Sequence, residues 1–279
     1  NIMYASKKAR ISNYWKYYIG QTKGLKRLNI YSKKQDVEAL FSDFADSSEK
    51  NKTIYGNVLG TIEQSELELS KTSLSRVYLN EAAWSGPNFI RLARRSESLL
   101  RALESEDASK ITPAMNRFSE LVEESFKEYK KCIDKEIFVK MMEMYHVGVP
   151  ANQLPGAIDS LERRFNGDFQ KWGNRLYDQS IFVDYTKMKN LLSSFNENFA
   201  GLTADVIKQD PAFKLQKSIL NNYFQVIRPQ NIEAQKNLDI ANRLFIDGLR
   251  KMQPNKKFYP DANFTMRVTY GSIGSYRPG

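Results

Sequence analysis

The chain has 279 residues, a net charge of +10 and 41% hydrophobic residues, which is enough material to bury a sizeable core. Its single cysteine, Cys132, excludes an internal disulfide, and together with the single histidine, His146, it cannot supply the about four ligands of a Cys/His zinc site. The longest uncharged apolar runs fall far short of the ~18 residues needed to cross a bilayer, so the sequence predicts no membrane span.

The N-terminal segment contains the excess charge. Residues 1–35 hold nine basic residues and no acid, and the remaining 33 basic and 32 acidic residues nearly cancel. Residues 3–28 favour a helix, and four aromatic residues surround its Asn13: Tyr14, Trp15, Tyr17 and Tyr18. An amide offers an acceptor and two donors, which suits binding of a backbone end or an ammonium group. The spacing alone favours the alternative in which Asn13 caps or bridges neighbouring helices and the aromatic residues belong to a core.

The next segments follow helical spacing. Residues 36–44 predict a short amphipathic helix, and residues 50–82 predict a long one. The Ser-Gly-Pro turn at 85–87 begins another helix, whose apolar residues recur at i, i+3, i+4 and i+7. This predicted buried stripe consists of Phe89, Leu92, Ala93, Ser96, Leu99, Leu100 and Leu103.

Proline marks two of the later helix starts. Thr112 and Pro113 predict a helix that stops at Gly148, and Asp210 and Pro211 repeat the same pairing of cap and proline. In chain order, the later helices are predicted over 112–148, 154–176, 185–198, 211–227 and 230–252. The chain is therefore predicted to be mainly α, a multi-helix bundle over about residues 1–253.

The last residues follow a different period. Apolar side chains alternate with polar ones at four positions: Phe264, Met266, Val268 and Tyr270. A period of two predicts a half-buried strand. A single strand leaves its backbone groups unpaired, so we expect its partners in sequence outside this chain. Residues 254–279 are interpreted as the start of a second, incomplete β domain, and the chain as an internal piece of a longer protein.

The sequence offers few catalytic arrangements. It contains no Gly-x-Ser-x-Gly elbow, Walker loop or dinucleotide fingerprint, so we expect no cofactor. His146 stands near a predicted helix end, where an imidazole interacts favourably with terminal carbonyls. A catalytic base is the less favoured alternative for His146, because no partnered serine or cysteine is recognisable. We expect this chain alone to be no catalyst.

Four stretches carry a family resemblance. They are YASKKARISNYWKYYIGQTKGL (4–25), SGPNFIRLARR (85–95), DQSIFVDYTKM (178–188) and KKFYPDANFTMRVTYGSIGSY (256–276). The sequence resembles the bacterial dipeptidyl-peptidase family of serine exopeptidases, which combine a chymotrypsin-like double barrel with an inserted α-helical domain. The chain looks like the helical domain followed by the first returning strand.

The resemblance implies a function for the longer protein. The helical domain would be a lid over the active-site cleft of an enzyme that releases N-terminal dipeptides, and Asn13 matches the position that binds the substrate's free α-amino group. The family's catalytic serine, histidine and aspartate would lie outside this chain. The resemblance further implies peptide substrates with a free N-terminus, export to the periplasm of a Gram-negative bacterium, and a homodimer as one possible assembly of the full-length enzyme.

Two other functions stay open on the sequence. The basic segment 1–35 is compatible with a helical nucleic-acid-binding module, whose affinity would fall steeply with salt. Against this, the rest of the chain is nearly neutral and carries no aromatic-interleaved sheet motif, so we expect no nucleic-acid partner. A helical scaffold that binds a protein partner is the third possibility.

Overall fold

The computed structural model describes residues 2–194, 200–258 and 271–275, and the regular secondary structure in these ranges is helical. The α-helices in these ranges are α1 (Ile2–Arg27), α2 (Ile30–Asp46), α3 (Glu49–Tyr55), α4 (Val58–Ser70), α5 (Ser73–Tyr78), α6 (Asn88–Glu104), α7 (Ala108–Phe126), α8 (Lys131–Gly148), α9 (Gly156–Phe165), α10 (Phe169–Gln179), α11 (Tyr185–Ser193), α12 (Ala200–Gln209), α13 (Pro211–Asn222) and α14 (Arg228–Met252). Two π-helical stretches, Leu79–Trp84 and Tyr223–Ile227, extend α5 and join α13 to α14.

The predicted fold class is confirmed for its helical part. No strand occurs within the described ranges, and the predicted strand 264–270 lies outside them, as does most of the predicted second domain, 254–279. The boundary at residue 253 stays a prediction. Among the described helices, none combines the length and the apolar character that crossing a membrane requires.

The larger core lies between α6 and the helices that surround it. Helix α6 packs against α7, α12 and α13, and its predicted apolar stripe from Phe89 to Leu103 is buried throughout. Three aromatic rings meet at its centre, with the Phe89 ring 5.1 Å from that of Phe138 and 4.5 Å from that of Tyr177. The 3.6-residue period therefore predicted this core surface correctly.

A second, smaller core joins the two ends of the helical region. Helices α2, α3 and α4 pack along α14, and Phe41 lies against Gly248 and the ring of Phe245. The Tyr55 hydroxyl donates a hydrogen bond to Asp247 over 2.5 Å, although the two residues are 192 positions apart. We call α2, α3, α4 and α14 together the arm.

The long helix predicted over 50–82 is wrong. The chain leaves the helical path at Gly56 and again near Thr72, and three separate helices result. Glycine and threonine are weak helix formers, which makes both positions susceptible to a break. At the second break the buried Thr72 hydroxyl donates to the Asn231 side chain over 2.8 Å, and this contact with α14 stabilises the turn.

The helix predicted over 112–148 is also wrong in two places. Helix α7 begins four residues earlier, at Ala108, because the Asp107 carboxylate caps it by accepting from the Ser109 N–H over 3.0 Å. Pro113 then lies inside the helix. Residues 127–130 are not helical and separate α7 from α8. This break lets Asp134, with Tyr129 bonded to it, lie close to the start of α6.

The helix predicted over 154–176 is divided into α9 and α10. Asn166 and Gly167 separate them with φ angles of 51° and 71°, the left-handed region that asparagine and glycine tolerate. The prediction at Asp210 is confirmed, since its carboxylate accepts from the N–H groups of Ala212 and Phe213 at the start of α13. Helix α12 was not predicted.

Candidate functional site

Helix α1 presents the predicted binding residue to solvent. Asn13 is exposed, and its side chain makes no hydrogen bond within the described part of the chain. The alternative in which Asn13 caps or bridges neighbouring helices therefore finds no hydrogen-bond partner among these residues. It borders a shallow, open surface region of about 580 Å³ on one face of α1, with Ser6, Ala9, Arg10, Tyr14 and Tyr17. An exposed amide on such a surface is accessible to a ligand.

The aromatic residues around Asn13 do not form a core within the described chain. Tyr14, Trp15, Tyr17 and Tyr18 are between 59% and 65% exposed, which overturns the expectation from spacing. Soluble proteins rarely expose a continuous apolar surface of this kind unless it contacts a partner or a ligand. We call these four side chains the aromatic surface of α1.

The first two turns of α1 are attached to the bundle. The Lys7 ammonium donates to Asn88 Oδ1 over 2.7 Å and to the Gly86 carbonyl over 3.5 Å. The Tyr4 hydroxyl donates to the carbonyl of Lys130, the residue before α8, over 3.3 Å. These contacts fix the N-terminal end of α1 against the starts of α6 and α8.

A buried carboxylate lies directly behind this attachment. Asp134, fully buried in α8, accepts from the backbone N–H of Asn88 over 2.7 Å and from that of Phe89 over 3.3 Å. It also accepts from the hydroxyls of Tyr177 over 2.9 Å and Tyr129 over 3.4 Å. Helix α6 has no capping side chain of its own, so Asp134 supplies its N-terminal cap from another helix.

Burial dominates the electrostatics of this cluster. It raises the pKa of the Asp134 carboxyl, and the hydrogen bonds from Asn88, Tyr177 and Phe89 and the charge of Lys7 offset part of that rise. Burial lowers the pKa of the Lys7 ammonium, as do the nearby positive charges, while Asp134 opposes them. Burial also raises the pKa of Tyr4 to about 12. Asp134 therefore influences the charge of Lys7 and Tyr4 although it belongs to α8 and they belong to α1.

The sequence did not predict the cluster of Lys7, Asn88 and Asp134. Asp134 is 46 positions and Lys7 is 81 positions from Asn88, so no local spacing in the sequence connects them. One signal was available, because Asp134 shares a helix face with Ile137 and Phe138, and an aspartate on an apolar helix face is rarely buried unless it has partners.

His146 lies in the last turn of α8, as its position near a predicted helix end suggested. Its ring centroid is 5.6 Å from that of Phe169, and the described residues show no hydrogen bond between His146 and a serine or a carboxylate. Cys132 is exposed. Among the described residues, no group of three or more His, Cys, Asp or Glu side chains is arranged to hold a metal ion. The site of interest is therefore the surface of α1 around Asn13.

Comparison with known proteins places the whole chain in context. The sequence profile of the family described as Peptidase S46 matches residues 1–279. Dipeptidyl-peptidase 7 of Porphyromonas gingivalis is 31% identical over 282 residues, which cover 99% of this chain and 37% of the relative. The Asp/Glu-specific dipeptidyl-peptidase of Flavobacterium psychrophilum is 28% identical over 277 residues, again 99% of this chain and 37% of the relative. The chain thus spans well under half the length of these two curated relatives.

A solved structure shares the fold. The crystal structure of Porphyromonas endodontalis DPP11 in complex with the dipeptide Arg-Glu superposes with a TM-score of 0.56 and 16% sequence identity. The superposition covers 84% of this chain and 31% of that one. At this level of identity the likeness concerns the fold alone.

Proposed function

The chain belongs to the Peptidase S46 family, and on that premise we propose that it is the helical substrate-capping domain of a serine dipeptidyl peptidase that releases N-terminal dipeptides from oligopeptides. The similar curated proteins are dipeptidyl-peptidases, and this chain aligns with only part of them. The serine, histidine and aspartate of the reaction would come from the rest of the enzyme, so the chain by itself is expected to release no dipeptides.

The observation that carries this proposal is the exposure of Asn13 beside the aromatic surface of α1. Most of the large apolar residues described in α6 to α13 pack into one core, with Met144 and Val147 of α8 among the exposed exceptions, whereas the four aromatic side chains of α1 all stay uncovered. A cleft between α1 and the remainder of the enzyme would use both features. The aromatic side chains would provide contact area, and the amide would provide a polar group at a defined point.

The chemistry of an amide suits the proposed ligand. The Asn13 carbonyl oxygen accepts a hydrogen bond from a substrate α-ammonium without a charge of its own, so it does not hold a competing cation. A hydrogen bond to a charged group contributes about 1.5–3 kcal/mol, which selects peptides with a free N-terminus over blocked ones. A lid that closes beyond the N-terminal residue also excludes longer upstream segments, which limits cleavage to dipeptides.

The substitution Asn13→Ala in the full-length enzyme tests the proposal. We expect kcat/KM on dipeptidyl-aminomethylcoumarin substrates to fall roughly ten- to a hundredfold, because one hydrogen bond to the ammonium is lost. The melting temperature should change little, since the exposed amide has no buried partner to leave unpaired. Asn190→Ala, an exposed asparagine of α11, is the matched control and should retain wild-type kcat/KM.

An Asn13→Ala enzyme that melts several degrees lower yet cleaves dipeptides at wild-type efficiency would contradict the proposal. The alternative, a nucleic-acid-binding module that uses residues 1–35, is tested by mixing the chain with labelled duplex DNA at low salt. We expect no binding; an affinity that falls steeply as salt rises would favour the alternative.

We extend the proposal to location and assembly, for which the family resemblance is the support. The full-length enzyme is expected in the periplasm of a Gram-negative bacterium, which cell fractionation tests. A homodimer is one assembly that the resemblance implies, and light scattering on the purified full-length enzyme would distinguish it from a monomer.

A further inference from the structure

We propose that Lys7 is a positioning residue that fixes the direction of α1, and through it the place of Asn13, relative to the helical bundle. This inference rests on the proposed function for its effect on catalysis. Its structural part concerns only the described residues.

Helix α1 is attached to the bundle at its first two turns. From residue 8 to the end of α1, every side chain is exposed or half-buried, and the hydrogen bonds that the described residues show from α1 to the starts of α6 and α8 come from Tyr4 and Lys7. At its other end α1 packs against α2, across a turn in which Asn29 has a φ of 47°. The direction of the segment around Asn13 is therefore set mainly at its first two turns.

The residue to which Lys7 is attached is itself held rigidly. Lys7 binds the side chain of Asn88, which is 3% exposed and is the first residue of α6. The backbone N–H of Asn88 is in turn held by the buried carboxylate of Asp134. The Lys7 ammonium therefore binds the side chain of a residue, Asn88, whose backbone is held in place by the cap of α6.

A small tilt of α1 at Lys7 displaces Asn13 by more than about 1 Å. Asn13 follows Lys7 by six residues, or about 9 Å along a helix axis at 1.5 Å per residue. A tilt of α1 by about 10° at Lys7 would move Asn13 by about 1.6 Å, and a misplacement of about 1 Å at a reacting centre can lower a rate about a hundredfold. A tilt of this size on loss of the Lys7 contact would therefore be enough to affect substrate binding at a distance.

The experiment compares Lys7→Met with Lys8→Met in the full-length enzyme. Both remove one positive charge from α1, but Lys8 is exposed, so only the first change removes the bond to Asn88. Peptide-resolved hydrogen exchange should become several-fold faster in residues 4–20 of the Lys7→Met enzyme and stay unchanged in the Lys8→Met enzyme. Equal exchange in the two variants would overturn the inference, whatever the enzyme cleaves.

A double-mutant cycle with Asn13→Ala tests the effect on catalysis, with the best-cleaved of a panel of dipeptidyl-aminomethylcoumarin substrates. Lys7→Met is expected to lower kcat/KM about tenfold, while the double mutant is no worse than Asn13→Ala alone, because a residue that acts through Asn13 has nothing left to position. Losses that multiply would show that Lys7 acts independently and would overturn the inference. An Asn13→Ala enzyme with wild-type activity would instead refute the proposed function, and hydrogen exchange would still decide whether Lys7 holds α1.

Discussion

Substitution of Asp134 by alanine should destabilise the chain more than the loss of any local helix cap. The change removes the acceptor for the backbone N–H groups of Asn88 and Phe89 and for two tyrosine hydroxyls, all of which the fold buries wholly or in part. An unsatisfied buried donor costs about 1–3 kcal/mol, and relief of the buried charge offsets part of the sum. We expect a net loss of about 3–5 kcal/mol in the free energy of unfolding, or about 10 °C in Tm at 2–4 °C per kcal/mol.

The assay is thermal and urea unfolding of the 279-residue chain, followed by circular dichroism. The control is Asp168→Ala, which removes the exposed carboxylate that caps α10 by accepting from the Lys171 N–H over 2.8 Å. Loss of a local cap costs about 1 kcal/mol. An Asp134→Ala variant that is no less stable than Asp168→Ala would refute the conclusion that Asp134 caps α6 from a distance.

Two further perturbations test the packing and the charge of the helices. Gly248→Ala places a methyl carbon 2.5 Å from the buried ring of Phe41 and should lower the free energy of unfolding by about 1–2 kcal/mol. In Gly20→Ala the new methyl carbon meets no atom within 4 Å, and the free energy of unfolding should rise by about 0.5–1 kcal/mol. Urea unfolding that ranks the two variants the other way would contradict the packing of α2 on α14. The pKa of the Asp107 carboxyl is lowered from 3.8 to about 2, above all by the hydrogen bond from the Ser109 hydroxyl. The ionised carboxylate therefore stabilises the fold fully above pH 3.8, and this stabilisation is lost as the pH falls towards 2. The stability difference between wild type and Asp107→Asn should therefore shrink between pH 5 and pH 2, and a difference that is constant over this range would exclude the pKa shift.

The sequence predicted those parts of the fold that depend on local spacing. The buried stripe from Phe89 to Leu103 follows the helical period, and Asp210 caps α13 through the next three residues, so both were visible without the structure. The turn at Asn166 and Gly167 was equally visible, since an Asn-Gly pair tolerates positive φ, but it was missed.

Breaks and caps that depend on distant partners could not be predicted. Thr72 turns the chain where its hydroxyl meets Asn231, 159 positions away. Asp134 satisfies α6 from α8, and only the folded chain brings the two together. The exposure of Tyr14 and its neighbours escaped prediction for a related reason, since a helix period shows which face is apolar but not whether anything covers it. Asn13 itself was found through family resemblance, and its role stays a prediction.

The arm has a consequence for the order in which the chain folds. Its contact between Tyr55 and Asp247 closes a loop of 192 positions, and closing a flexible loop of that length costs about 5 kcal/mol in chain entropy. Collapse of α6 to α13 first would shorten the effective loop, because the starts of the bundle and of α14 would already be held near each other. We therefore expect pairing of α2, α3 and α4 with α14 to be a late step in folding, and the same helices to be the first to separate when the native state opens.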